Sequence, residues 1–278
     1  MTFTKIIPLT SILHQYDAIL FDLWGVLVEG TDLYPGVSDA INKLMQTKTV
    51  LFVSNSPRLK VDIAKRMQDY GINATPEQFF TSGQMAYDLL HNKQDIYYLA
   101  NGNDYSLLPA GSTTTSDISK ASVILLAAQL DAEEDLEMFT PLFKEAVDLN
   151  IPCICANPDK IIPNKGKLRY CPGFFAEGYE EMGGKVTYIG KPGVSIFQQA
   201  IESLKPKADP VRILMIGDTL DTDILGANST GIHSALVLTG NVERVIAEHL
   251  TSEDKLRALQ NFCETSGILP NFVIDITT

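Results

Sequence analysis

Short apolar runs alternate with longer amphipathic stretches along most of the chain. The runs at 18–21, 49–53 and 211–216 are predominantly apolar and rich in β-branched residues, which is typical of strands buried on both faces of a parallel sheet. Between such runs, apolar residues recur at helical spacing, as in 37–46 and 59–70. Strands that alternate with helices predict an α/β protein with largely parallel sheets.

The same pattern predicts the remaining elements. Strands are expected at 79–82, 96–100, 123–127, 151–156, 186–189, 234–237 and 272–276, and helices at 84–91, 133–149, 174–182, 193–204, near 224, at 242–250 and at 253–262. Pro, Gly, Asn and Lys residues concentrate in 157–173, which predicts a loop and a hairpin. Residues 1–16 are expected to form a lead-in with a short amphipathic turn.

Composition narrows the class of protein. The 278 residues are 45% hydrophobic and 20% charged, as in ordinary globular proteins, and the length allows one large domain or two smaller ones. A net charge of −12 argues against nucleic acid or an anionic membrane surface as a partner. Four cysteines do not suggest a disulfide framework in a chain of this length. With no apolar run near the roughly 20 residues that span a bilayer and no basic, apolar leader, we expect a cytoplasmic protein.

Polar residues follow several of the predicted strands directly. Asp22 ends the first run, Ser54 and Asn55 end the second, and Asp218 follows the run at 211–216. Carboxyl ends of parallel strands are where open α/β sheets bind ligands. Taken alone, Asp22 could equally well cap a loop.

Four stretches, in this order, resemble the four motifs of the haloacid dehalogenase superfamily, the aspartate-nucleophile phosphatases and their relatives. They are Asp22-Leu-Trp-Gly-Val-Leu, Ser54-Asn55, Lys191-Pro192 and Gly217-Asp218-Thr-Leu-Asp221-Thr-Asp223. The stretch from Tyr179 to Pro192 resembles class IIA, which includes 4-nitrophenylphosphatase-like enzymes and sugar-phosphate or pyridoxal-phosphate phosphatases.

The resemblance implies the domain organisation. It predicts a Rossmann-like parallel-sheet core formed by residues 1–82 and 187–278. An α/β cap domain, residues 83–186, would be inserted between the second and third motifs.

The resemblance also implies a mechanism and a metal. Asp22 would be the nucleophile and would form an aspartyl-phosphate. Asp22 and Asp218 would hold Mg²⁺, a hard cation that prefers oxygen ligands, with the backbone carbonyl of Trp24 as a third ligand. Asp223 would support the metal through water or a further hydrogen bond.

The resemblance further implies that the phosphoryl oxygens would be bound by three more residues: Ser54, the backbone of Asn55, and Lys191. Each has a plainer interpretation, because Ser54 is also a good helix cap and Lys191 could be a surface lysine before a helix-starting proline. Asp221 is expected to be solvated.

Trp24 is the departure from the pattern. Phosphatases of this superfamily carry a second Asp two residues after the nucleophile, where it protonates the leaving oxygen and later activates water. An indole has no usable acid or base, and general acid–base catalysis is worth about 10²–10⁴-fold. We therefore expect a weak phosphatase or a relocated acid, with Glu29 or Glu177 as candidates.

Two alternatives stay open. The chain could be a module that binds phosphate and Mg²⁺ with little turnover. It could also be a 2-haloacid dehalogenase, since those relatives carry an aromatic residue at the position of Trp24. Dehalogenases need no metal, however, whereas the Asp218 and Asp223 pair is what a metal site requires.

The resemblance implies that the cap selects the substrate, which we expect to be a small phosphorylated metabolite. Caps of this class often mediate dimers, so a homodimer is a possible assembly. The candidate substrate contacts of the cap are Asn157, Asp159, Arg169, Tyr170 and Phe174.

Overall fold

The computed structural model describes residues 3–101, 104–131, 136–164, 167–248 and 251–276. Within them, the chain forms two compact units. The first unit takes the described residues of Met1–Ser54, Ala64–Phe80 and Lys191–Thr278, and the second takes those of Asn55–Ile63 and Thr81–Gly190.

The elements are numbered in chain order. The strands are β1 (Ile6–Pro8), β2 (Ala18–Phe21), β3 (Val28–Glu29), β4 (Asp32–Leu33), β5 (Thr49–Ser54), β6 (Phe79–Thr81), β7 (Ile96–Leu99), β8 (Val123–Leu126), β9 (Leu130–Asp131), β10 (Cys153–Cys155), β11 (Ile161–Asn164), β12 (Lys167–Tyr170), β13 (Val186–Tyr188), β14 (Ile213–Gly217), β15 (His233–Val237) and β16 (Phe272–Asp275). The α-helices are α1 (Val37–Met45), α2 (Lys60–Asp69), α3 (Ser82–Leu89), α4 (Thr140–Asp148), α5 (Pro172–Glu181), α6 (Val194–Ser203), α7 (Leu225–Thr230), α8 (Glu243–Ile246) and α9 (Ser252–Ser266). A π-helical turn, Leu220–Ile224, precedes α7.

A seven-stranded sheet organises the first unit, in the order β1-β16-β15-β14-β2-β5-β6. The pairs from β1 to β5 are all parallel. Strands β2 and β14 are buried along their whole length, which accounts for their nearly uninterrupted apolar sequences. Phe21 pairs with Ile216 on one side and with Phe52 on the other, so the carboxyl ends of these three strands lie side by side.

The second unit contains two sheets. Strands β13-β10-β8-β7 form a parallel sheet, and β11-β12-β9 form an antiparallel one. The hairpin predicted within 157–173 is therefore confirmed as β11 and β12. Together with the parallel sheet of the first unit, these elements confirm the predicted α/β class with a Rossmann-like core.

The extents of the two units differ in detail from the domain boundaries expected from the sequence. Segments 55–63, 81–82 and 187–190 lie in the second unit, whereas the sequence analysis assigned them to the core. For the last segment the reason is strand pairing, because Thr187 and Tyr188 pair with Ile154 and Cys155 of β10.

Some elements differ from their predicted extents. The helix expected at 133–149 appears as a 3-10 turn, Leu136–Phe139, followed by α4 from Thr140, and residues 133–135 lie outside the described residues. Pro141 explains the start of α4, because proline fits the first turn of a helix but not its interior. The helix expected at 242–250 is represented by the short α8, Glu243–Ile246. Residues 249 and 250 of the expected helix also lie outside the described residues.

Two strand features were not predicted. Strand β1 lies in the segment expected to be a lead-in, and it ends in a proline, which an edge strand tolerates. The hairpin of β3 and β4 follows the first motif. All four cysteines are free and buried. Among the described residues, no helix combines the length and apolar character needed to cross a membrane.

Candidate active site

Three carboxylates and one lysine converge at the carboxyl end of the central strands. Asp22 directly follows β2, Asp218 directly follows β14, and Asp223 lies in the π-helical turn before α7. Carboxylate oxygens of these three residues all lie within 4.8 Å of one another, and all three side chains are buried. Parallel neighbours with matched register produce this meeting, since β2 and β14 end at the same level of the sheet.

Lys191 joins two of the carboxylates. Its Nζ donates to Asp22 Oδ1 at 2.5 Å and to Asp223 Oδ1 at 2.7 Å. The lysine side chain is only 3% exposed, so both ion pairs are shielded from water. The plainer interpretation of Lys191, a surface lysine before a helix, is therefore wrong.

Asp218 is held by the loops around it. Its Oδ2 accepts from the backbone N–H of Asn241 at 2.7 Å, and its Oδ1 accepts from the Thr219 hydroxyl at 3.0 Å. The side chain of Asn241 donates to the Thr219 hydroxyl at 2.8 Å. Asp223 is fixed in the same region, since its Oδ2 accepts from the backbone N–H of Thr219 at 3.2 Å.

Two glycines let the backbone approach Asp218 closely. A Cβ at Gly25 would stand 2.2 Å from Asp218 Oδ2, and one at Gly240 would stand 2.1 Å from the same oxygen. Both residues have a positive φ, which glycine adopts at little cost. The hydroxyl of Thr239 donates to the Gly25 carbonyl at 2.6 Å and joins the two loops.

The sequence analysis missed the loop Thr239-Gly240-Asn241. It carries no charge, and its contribution is a backbone N–H and a close approach rather than a reactive side chain. The available signal was the Gly240-Asn241 pair shortly after β15, which ends at Val237, and such a pair marks a turn but no chemistry.

The charges of this cluster are unbalanced. Three carboxylates face one ammonium group, so full ionisation would leave an excess of two negative charges in a buried site. Burial, followed by the charge of Asp223, raises the pKa of Asp218 from 3.8 to about 7. Burial also raises the pKa of Asp22 well above its ordinary value, against the opposing effect of Lys191. Burial alone would lower the pKa of Lys191, but Asp22 and Asp223 outweigh it and raise that pKa, so the lysine stays charged.

The donor set fits a divalent cation. Carboxylate oxygens are the ligands that hard cations such as Mg²⁺ and Ca²⁺ prefer. A divalent cation would also cancel the excess of two negative charges that burial makes costly.

Ser54 and Asn55 are both buried at the end of β5. Ser54 is the last residue of β5, which lies beside β2 in the sheet. Asn55 belongs to the second unit, where its Nδ2 donates to Asp159 Oδ1 at 2.8 Å. The contacts of both residues with a phosphoryl group stay a prediction.

The remaining candidates fall into different environments. Trp24 is half-buried, and Asp221 is exposed, as expected. Glu29 is exposed at the end of β3, and Glu177 forms an exposed ion pair with Lys160 at 2.6 Å.

All five candidate cap residues lie in the second unit. Asn157 is buried and its Oδ1 accepts from the backbone N–H of Asp159 at 2.9 Å. The rings of Tyr170 and Phe174 lie 4.3 Å apart. Arg169 lies in β12, opposite Ile162 of β11.

The first unit is a parallel α/β core with a buried carboxylate cluster at the carboxyl edge of its sheet. Comparisons with known proteins identify the family. Profiles described as haloacid dehalogenase-like hydrolase and HAD-hydrolase-like match residues 19–112 and 188–263. The chain belongs to the haloacid dehalogenase-like hydrolases.

Similar proteins include several named phosphatases. Mouse (Mus musculus) chronophin is 29% identical over 249 residues, with 84% of each chain covered. A "possible sugar phosphatase" from Cytophaga hutchinsonii has a TM-score of 0.79 and 27% identity over 98% of both chains. A glycerol phosphate phosphatase from Mycobacterium tuberculosis, solved in complex with calcium, has a TM-score of 0.64 and 25% identity over 82% of this chain and 68% of that one. At the level of these relatives, the expected enzyme class, a phosphatase, is confirmed.

The crowding at Gly240 predicts a specific loss of cation binding. Gly240→Ala would place a methyl group against Asp218 and displace its carboxylate, so we expect the variant to lose most of its thermal stabilisation by Mg²⁺. Gly30→Ala is the matched control, because Gly30 has a φ of +59° against +61° for Gly240 but has nothing within 4 Å of its Cβ position. Both variants should lose about 1–2 kcal/mol of stability through backbone strain. Gly240→Ala should lose more than Gly30→Ala, because its Cβ would also stand 2.6 Å from the Gly25 Cα. An equal response of the two variants to Mg²⁺ would contradict this assignment.

The raised pKa values predict that cation binding depends on pH. A carboxyl group with a raised pKa contributes stability that is complete below its ordinary pKa and is lost as the pH rises through the folded value, about 7 for Asp218. A cation competes with those protons, so Mg²⁺ should raise the melting temperature more at about pH 8 than at about pH 5.5. Thermal melts of the wild type and of Asp218→Asn measure this. A Mg²⁺ response in the wild type that is equal at both pH values would show that these carboxylates do not bind the cation.

Proposed function

We propose that the chain is a Mg²⁺-dependent phosphatase that transfers the phosphoryl group of a small phosphate monoester to Asp22. The observation that carries the proposal is the position of Asp22, which is buried, bound to Lys191 at 2.5 Å and adjacent to two further carboxylates. A nucleophilic carboxylate needs its negative charge, and it must meet an anionic ester without being repelled.

Lys191 supports both requirements. Its ammonium group stays charged and stabilises the ionised form of Asp22. It would also offset the charge of the phosphoryl oxygens, together with Ser54 and the backbone of Asn55. Asp22, Asp218, Asp223 and the carbonyl of Trp24 would hold Mg²⁺, which when bound neutralises charge on the phosphoryl oxygens.

The cation would also favour the ionised form of the nucleophile. Burial, and less strongly the neighbouring carboxylates, raise the pKa of Asp22, whereas Lys191 opposes this shift. A bound cation would oppose it further.

The position of Trp24 sets the limit on turnover. No acid stands there to protonate the leaving oxygen, and no base to activate water against the aspartyl-phosphate. We therefore infer slow hydrolysis of the phosphoenzyme, whatever the rate of its formation. The same observation favours the alternative of a phosphate- and Mg²⁺-binding module with little turnover. The dehalogenase alternative is disfavoured, since the three buried carboxylates fit a cation that it would not need.

The substrate is proposed to be a small phosphorylated metabolite. The named relatives support this class, because one is described as a possible sugar phosphatase and another as a glycerol phosphate phosphatase. A cytoplasmic location and a homodimer stay predictions.

Phosphate release from 4-nitrophenyl phosphate and from a sugar phosphate, with and without Mg²⁺, tests the proposal. Nitrophenolate leaves without help from an acid, so we expect Mg²⁺-dependent release from the aryl ester even if the sugar ester is inert. Asp22→Asn should abolish it. Trp24→Asp should raise turnover of the sugar ester by part of the roughly 10²–10⁴-fold that acid–base catalysis contributes.

Asp221→Asn is the matched control, because it removes an exposed carboxylate from the same loop as Asp218 and should leave both rates unchanged. An unchanged rate in Asp22→Asn would overturn the nucleophile. No release from either ester would favour the binding module, and chloride from 2-chloropropionate without metal would favour the dehalogenase.

A further inference from the structure

A cation and an aromatic ring stand where the usual acid is missing. The guanidinium carbon of Arg66, on α2, lies 5.3 Å from the centroid of the Trp24 ring. Trp24 is two residues from Asp22, so the two Cα atoms lie within about 7 Å of each other. A permanent positive charge is therefore held beside the segment that carries the proposed nucleophile.

Tyr70 fixes the guanidinium in this position. Arg66 Nε donates to the Tyr70 hydroxyl at 3.1 Å, and the Arg66 guanidinium also lies 5.6 Å from the Tyr70 ring centroid. The Tyr70 hydroxyl in turn donates to the carbonyl of Thr31, in the turn between β3 and β4. The arginine is thus positioned by two aromatic rings and by a hydrogen bond anchored in the hairpin that follows Asp22.

The positive charge of Arg66 has no acidic partner. Within the described part of the chain, Arg66 forms no ion pair with a carboxylate. The protein has 34 acidic and 22 basic residues, so acidic partners are not scarce. A guanidinium carries five N–H donors, and among the described residues the Tyr70 hydroxyl is the one acceptor for its side chain. A half-buried cation of this kind is suited to receive an anion.

We propose that Arg66, held against Trp24 by Tyr70, stabilises the negative charge of the leaving oxygen, so that the site selects phosphate groups bonded to an acidic oxygen. Such oxygens belong to phenols, enols and carboxylic acids. The proposal rests on the proposed function and names its substrate class. Trp24 would exclude water from the leaving group, and Arg66 would supply charge stabilisation in place of a proton.

The chemical step balances without an acid. An Asp22 oxygen forms a bond to phosphorus while the bond from phosphorus to the leaving oxygen breaks. The electron pair of that bond stays on the leaving oxygen, which departs as an anion facing Arg66. In the second step, water oxygen bonds to phosphorus, the bond to Asp22 breaks with its electron pair on the carboxylate, and the water protons remain on the released phosphate.

A series of esters with different leaving groups tests the proposal. We would measure kcat/KM for 4-nitrophenyl phosphate, phenyl phosphate and an alkyl phosphate with Mg²⁺. The negative charge of phenolate is more localised on its oxygen than that of nitrophenolate, so phenolate needs more stabilisation. Arg66→Gln should therefore reduce kcat/KM for phenyl phosphate about tenfold more than for 4-nitrophenyl phosphate, which is part of the roughly 10²–10³-fold effect of losing one charge-stabilising donor.

Three variants separate this effect from a structural one. Arg66→Lys keeps the charge and should retain much of the phenyl phosphate activity. Tyr70→Phe removes the hydroxyl that anchors the hairpin and should lower the melting temperature while changing the ratio of the two rates less than Arg66→Gln does. Arg212→Gln removes a positive charge directly before β14, where Arg212 pairs with Asp17, and should leave the ratio unchanged. An equal loss on all esters in Arg66→Gln, or no loss, would overturn the proposal.

If the wild type releases no phosphate, the proposed phosphatase activity is wrong, and a binding experiment then tests the role of Arg66 by itself. Trp24 is the only tryptophan of the chain, so its fluorescence reports on this position alone. With Mg²⁺, inorganic phosphate should change that emission, because its fourth oxygen takes the place of the leaving oxygen, and its affinity should be several-fold weaker in Arg66→Gln. The affinity for phenyl phosphate should depend little on Arg66, because the ester oxygen is uncharged before the bond breaks. Emission that does not respond to inorganic phosphate, or an affinity for it that is independent of Arg66, would overturn the inference.

Discussion

The pair of contacts made by Lys191 is the interaction on which the site depends. One ammonium group compensates Asp22 and Asp223 at the same time, and all three side chains are buried. Leaving one of these charges buried without its partner would cost several kcal/mol. Asp218 completes the cluster, where burial and then the charge of Asp223 raise its pKa, and the three carboxylates together fit a divalent cation.

The sheet makes this arrangement possible. Strands β2 and β14 are parallel neighbours with matched ends, so residues 196 positions apart in the chain, Asp22 and Asp218, meet at one edge. Gly25 and Gly240 then bring two loops against Asp218 at distances that no side chain would allow. The loop after Asp22 contains both Gly25, which packs against Asp218, and Trp24. The charged cluster is therefore present, whereas Trp24 stands where a proton-transfer group would be expected.

The buried strands, the α/β class and the converging carboxylates could all be predicted from the sequence. These features depend on two signals. One is a local pattern, namely an apolar run followed by a polar residue such as Asp or Ser, and the other is the order of the motifs along the chain. The loop at Thr239–Asn241 could not be predicted, because its contribution is one backbone N–H and a close approach. Nor could the Arg66 contact with Trp24, since it joins residues that no spacing rule connects. The start of α4 depended on Pro141, a local signal that the longer helical pattern obscured.

The central claim is that Asp22 receives the phosphoryl group and releases it slowly. Rapid-quench kinetics with 4-nitrophenyl phosphate and Mg²⁺ tests it most directly, with the acid-trapped protein analysed for the phosphorylated residue. The account predicts a burst of about one nitrophenolate per site, a slow steady state, and a phosphoryl group on Asp22. Linear release with no burst and no phosphoryl group on Asp22 would contradict it.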